Sequence, residues 1–254
     1  MKINLSKAQD DLKIVLEKKG VKNMPIMPVT AAIDCSGSME SNYNSGNIQT
    51  VLEQLLAVAL KFDDDGQLPV VLFSTSAYTL SNDLNINNVS EYLKSHIRRD
   101  GIDDSLWGGT DYIPAMRSII EVHEKAFGGN SLWKTILRVG RRIPILSTIL
   151  EFFNLVVGGE ECKTPTVCFF ITDGQPSEPW RHIVDFLNNT SNNYFWVIVC
   201  VETSSYETKK HLSSFNNVDI VEFKNLVNTN SNLYENIISD KMIKWSQTFN
   251  QNSK

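Results

Sequence analysis

Five short apolar stretches constrain this chain more than any other feature: VTAAI (29–33), LPVVLF (68–73), TVCFFI (166–171), YFWVIVCV (194–201) and VDIVEF (218–223). Runs of this length, rich in β-branched and aromatic residues and lacking strict alternation, read as strands covered on both faces. A sheet covered twice needs helices between its strands. Segments with helical spacing do lie there, such as IQTVLEQLLAVALKF (48–62), VSEYLKSHI (89–97) and residues 111–125. The alternation predicts an α/β fold with a doubly wound, mainly parallel sheet. AYTL (77–80) follows LPVVLF so closely that it reads as one short antiparallel edge strand.

The whole chain, 1–254, is expected to be a single domain. An N-terminal helix is expected within 1–20, opened by a capping box from Ser6 to Gln9 and ended at Gly20. A last helix is expected over 232–249, with Leu233, Ile237, Ile238, Met242 and Trp245 on one side. One segment breaks the pattern. About 40 residues separate the helix ending near Lys125 from the strand at Thr166, where a connection of roughly 2 to 6 would do. Residues 127–164 therefore read as a helical insertion that should emerge at the edge of the sheet where that strand begins.

Composition excludes several classes. The formal net charge of -5 argues against a surface built to neutralise phosphates, so no nucleic-acid partner is expected. The four cysteines (35, 162, 168 and 200) form no CxxC pair and read as reduced, buried thiols. The start MKINLSKAQDDLK has no signal-peptide core, and no run of about 20 apolar residues exists, so a cytoplasmic protein is expected. His96, His123, His182 and His211 have no metal-binding spacing and read as surface or interface histidines.

In a doubly wound sheet, ligands sit beyond the carboxyl ends of the strands. Asp34 ends the first strand there, in AAIDCSGSMESN (31–42), and Ser36 and Ser38 can aim their hydroxyls at the same spot. Thr110, after the glycine pair of WGGTDY, and Asp173, directly after TVCFFIT, reach the same rim. Two carboxylates and three hydroxyls make a hard-oxygen set suited to magnesium or manganese, with calcium a further candidate. The plain alternative is an aspartate and serines closing an ordinary turn. Cys35 reads as packing beneath this loop.

The series Asp34, Ser36, Ser38, Thr110 and Asp173, in that order, resembles the metal-ion-dependent adhesion site of von Willebrand factor A domains, over roughly residues 26–250 apart from the insertion. The resemblance implies that the serines and the threonine ligate the ion, that the aspartates bind directly or through water, and that an open position accepts an acidic side chain from a partner protein. DCSGSM, GGTDY and ITDGQPSE, together with the N-terminal helix, also resemble the bacterial and phage A-domain proteins of the tellurium-resistance and stress-response group.

The expectation is a non-enzymatic, metal-dependent protein-binding module. One alternative is a metal-dependent phosphohydrolase using Asp34. That chemistry wants a second acid two residues on, and Ser36 stands there. Another is a scaffold acting through the insertion, whose Lys134, Arg138, Arg141 and Arg142 lie among apolar residues and could meet a membrane surface.

Overall fold

The computed structural model describes residues 5–21, 26–63, 65–99, 107–127, 164–223 and 230–250. Six strands form one sheet: β1 (Val29–Asp34), β2 (Val70–Phe73), β3 (Ala77–Thr79), β4 (Thr166–Thr172), β5 (Tyr194–Val201) and β6 (Val218–Phe223), in the order β3-β2-β1-β4-β5-β6. All pairings are parallel except β2 with β3, so the expected short antiparallel edge strand is present. Ile33 pairs with Leu72 on one side and Ile171 on the other, which makes β1 the central strand where the order of connection reverses.

Alternate residues feed two cores, as period-2 geometry requires. Val29, Ala31 and Ile33 of β1, with Val167, Phe169 and Ile171 of β4, face helices α1 (Leu5–Lys18), α3 (Asn47–Phe62), α8 (Asn230–Ile237) and α9 (Asp240–Asn250). Ala32, Cys168, Phe170, Trp196 and Ile198 face α5 (Tyr112–Phe127), α6 (Trp180–Asn188) and α7 (Tyr206–Leu212). The short α2 (Glu40–Asn44) and α4 (Tyr92–Arg99) complete the described helices.

Several expectations need correction. The polar stretch after β1, which has no helical spacing in the sequence, winds into a single 3-10 turn (Gly37–Met39) and α2 before α3 starts. Helix α1 already includes Leu5, so Ser6 lies inside its first turn instead of ahead of it. The last helix is two: the Ser239 hydroxyl accepts the Met242 N–H at 3.0 Å and caps α9, although the apolar spacing runs straight across the break. His96 and His123 are buried, not at the surface. His96 Nδ1 lies 2.8 Å from the Tyr92 carbonyl, His123 Nδ1 lies 3.1 Å from the Tyr194 hydroxyl, and burial pushes the His123 pKa down to about 4. Cys35, Cys168 and Cys200 are free and buried. The insertion expected over 127–164 and Cys162 lie outside the described residues but for Phe127 and Thr164. Among the described residues, no helix is long and apolar enough to cross a membrane.

Helix α1 belongs to the core: Ala8, Leu12, Val15 and Leu16 are buried against α3 and α8. Replacing Leu12 by alanine leaves a cavity in that layer and is expected to cost about 2–5 kcal/mol in urea denaturation. An unchanged midpoint would show that α1 is not part of the cooperative unit.

Candidate metal centre

The centre forms at the carboxyl edge where β1 and β4 lie side by side. Asp34 is the last residue of β1 and is fully buried. A carboxylate there needs donors. Its Oδ1 accepts the Ser36 N–H at 2.7 Å and its Oδ2 accepts the Thr172 hydroxyl at 2.7 Å. The loop then turns back on itself, with the Ser36 and Ser38 hydroxyls 3.2 Å apart, and Ser38 Oγ donates to Asp173 Oδ1 at 2.8 Å. One continuous set of contacts thus joins Asp34, Ser36 and Ser38 to Asp173, across 135 residues of sequence.

Thr110 arrives from the other face. The Trp107 N–H donates to the Cys35 carbonyl at 2.8 Å, and the Asp111 N–H to the Ser74 carbonyl at 2.8 Å, which seats the glycine pair against the β1 and β2 ends. A β-carbon on Gly109 would stand 3.0 Å from the Ser177 hydroxyl, so a side chain there would push the two loops apart. Thr110 Oγ1 lies 3.5 Å from where a β-carbon of Gly174 would sit, next to Asp173. All five residues singled out from the sequence therefore border one small region, with Thr110 reaching it beside Gly174 and the other four through direct hydrogen bonds.

The electrostatics favour a cation. Burial raises the Asp34 pKa, the Ser36 and Thr172 contacts pull it back only in part, and the Asp173 charge adds to the rise. Asp173 is raised first by burial and then by the neighbouring Glu202 charge, against the lowering effect of Ser38. Among the ion pairs of the described residues, none involves Asp34 or Asp173. No three His, Cys, Asp or Glu side chains converge on a metal-sized point among these residues, so a cation here would take hydroxyl oxygens as well as carboxylates. Cys35 does not compete for this role: its thiol is buried, donates to the Phe73 carbonyl at 3.1 Å, and is pushed up to about 12 by burial and then by Asp34. It stays protonated and packs beneath the loop.

Four supporting residues went unassigned in the sequence. Thr172 is readable in hindsight, because the pairing of Ile33 with Ile171 sets the next residue of β4 beside Asp34. Tyr43 donates its hydroxyl to the Asp34 carbonyl at 3.1 Å and meets Trp107 edge to face, with ring centres 5.5 Å apart. Ser177 and Glu178 bind the Thr110 loop from the segment after β4. Such contacts join distant parts of the chain and leave no local pattern. Asp103 and Asp104, a few residues ahead of Thr110 in the sequence, lie outside the described residues.

Residues 26–252 match the family described as "vWA found in TerF C terminus", and the chain belongs to it. It is a von Willebrand factor A domain protein of the tellurium-resistance group. It is similar to the uncharacterized protein YcbR of Bacillus subtilis (strain 168), 32% identical over 111 residues that make up 43% of this chain and 44% of that protein. Among solved structures it is similar to proximal thread matrix protein 1 of the mussel byssus, with a TM-score of 0.54 and 16% identity over 87% of this chain and 49% of that one. A further structure of that mussel protein, solved with zinc in its own metal-ion-dependent adhesion site, aligns with a TM-score of 0.49 and 16% identity over 84% and 48% of the two chains. The chain thus spans about half the length, or less, of these relatives.

Without bound metal, the raised Asp34 pKa has a defined consequence for stability. Between the ordinary carboxylate value and the raised one, the native state keeps a proton that the unfolded chain has lost. Stability contributed by Asp34 therefore falls as pH rises through that window. Chelated wild type is expected to lose more stability than Asp34→Asn as pH rises above the ordinary carboxylate value in urea titrations; parallel profiles would contradict this.

Proposed function

We propose that this chain is a cation-dependent protein-binding domain. Asp34, Ser36, Ser38, Thr110 and Asp173 would hold a divalent ion, magnesium or manganese, with calcium a further candidate. The ion would supply a Lewis-acidic position that a carboxylate from a partner protein completes. The observation that carries this reading is the contact between Ser38 and Asp173, 2.8 Å across two loops, within an acidic cluster that no described basic side chain neutralises. Family membership supports it. Recognition of an acidic side chain by an anionic rim requires the ion first, since bare carboxylates repel one another.

The same reading takes 1–254 as one domain acting in the cytoplasm, in a bacterial or phage setting of stress response or tellurium resistance. A phosphohydrolase has less support. Asp34 is fully buried with both oxygens engaged by donors, and Ser36 occupies the place where a leaving-group acid would be wanted. A role of the insertion at a membrane surface is the remaining alternative, and flotation of the intact chain with anionic liposomes tests it.

Thermal unfolding after chelation, with magnesium or manganese titrated back, tests the proposal. Wild type is expected to gain roughly 2.7 kcal/mol at about 100 times the dissociation constant, and Asp34→Ala to gain nothing. Capture of a partner should disappear on chelation and in the same variant. Equal stabilisation of both proteins, or turnover of phosphate monoesters lost in Asp34→Ala, would displace this reading.

A further inference from the structure

The loop that carries Thr110 is held from outside itself. Ser177 brackets it: the Thr110 N–H donates to the Ser177 hydroxyl at 3.0 Å, and the Ser177 N–H donates to the Thr110 carbonyl at 2.7 Å. One residue further, Glu178 Oε1 accepts the N–H of Tyr112 at 2.7 Å and that of Ile113 at 2.9 Å. These N–H groups open α5, a helix of 16 residues, and the helix itself offers them no acceptor. A capping acceptor ordinarily comes from the residue just ahead of the helix. Here it comes from 66 residues away, in the segment that also bears Asp173. Tyr112 closes the arrangement by donating its hydroxyl to the Gly174 carbonyl at 2.8 Å.

From this geometry we infer that Glu178 is a positioning residue for the metal centre. Its carboxylate fixes where α5 begins, and that start fixes Thr110 two residues earlier. Because Glu178 lies on the same connection as Asp173, it sets Thr110 and Asp173 at one separation although they come from different crossovers of the sheet. One carboxyl oxygen accepting both N–H groups sits at the positive end of the helix dipole, where an acceptor is favoured. The inference rests on the proposed metal centre and adds to it a residue outside its ligand set.

Manganese titrated calorimetrically into the full chain provides the test, comparing wild type with Glu178→Ala, Glu178→Gln, Thr110→Ala and the double variant Glu178→Ala/Thr110→Ala. Groups that orient metal ligands change affinity by about 10–100-fold when removed, and Glu178→Ala is expected to fall in that range. Glu178→Gln keeps an amide oxygen for the same two N–H groups and should recover most of the loss. Adding Glu178→Ala to Thr110→Ala should cost little more, because both act on one ligand. Wild-type affinity in Glu178→Ala, full additivity with Thr110→Ala, or a glutamine variant as weak as the alanine one would overturn the positioning role and leave the metal centre standing. Should Glu178→Ala fail to fold, Ser177→Ala removes the neighbouring bracket: a loss of affinity that vanishes in the Thr110→Ala background supports the clamp, and unchanged affinity overturns it. Absence of manganese binding in wild type overturns the metal centre, and this inference with it.

Discussion

A carboxylate withdrawn from water has to be met by donors or by a cation, and the end of β1 is arranged around that requirement. Asp34 is fully buried, and among the described residues hydrogen-bond donors meet it: the Ser36 N–H from its own loop and the Thr172 hydroxyl from the neighbouring strand. The first contact is local to the loop, and the second depends on β4 lying beside β1. The Cys35 N–H, paired with the Phe73 carbonyl at 2.7 Å, extends the β1–β2 ladder one step beyond the acid and turns the loop towards β4. The remaining imbalance is electrostatic, since donors lower the Asp34 pKa less than burial raises it.

The sheet supplies the rest of the site for a topological reason. The order of connection reverses between β1 and β4, so helices α3 and α5 leave towards opposite faces and the loops beside them part. That divergence is where ligands enter sheets of this type. Ser36, Ser38 and Asp173 fill it from the β1 and β4 loops, while Thr110 comes in from the connection that follows β3. Hydrogen bonds between the Thr110 loop and the segment after β4 then make two separately encoded loops into one wall.

How much of this was legible in the sequence follows from range. Strands buried on both faces write themselves as apolar runs, so β1, β2, β4 and β5 could be read, and with them the rim on which Asp34, Ser36, Ser38, Thr110 and Asp173 fall. The edge hairpin and β6 were also located, but β6 is a sheet edge with Glu222 exposed and is not covered on both faces as its sequence suggested. Features decided by a single hydrogen bond or by tertiary burial were not readable. The apolar stripe of the last helix continues across Ser239, where a hydroxyl cap breaks it. His96 and His123 look like surface residues on amphipathic helices until packing turns them inward. Glu178, in SEPW just ahead of α6, has the position of a residue serving its own helix, and it serves α5 instead.

The proposed divalent ion would bind where the β1 loop, the Thr110 loop and the segment after β4 meet. Crystals grown with manganese and measured at its absorption edge would locate it. An anomalous peak is expected in contact with Ser36, Ser38 and Thr110 oxygens and beside Asp173. A protein that crystallises in the same fold with manganese present and shows no peak there, or shows its peak elsewhere, would contradict it.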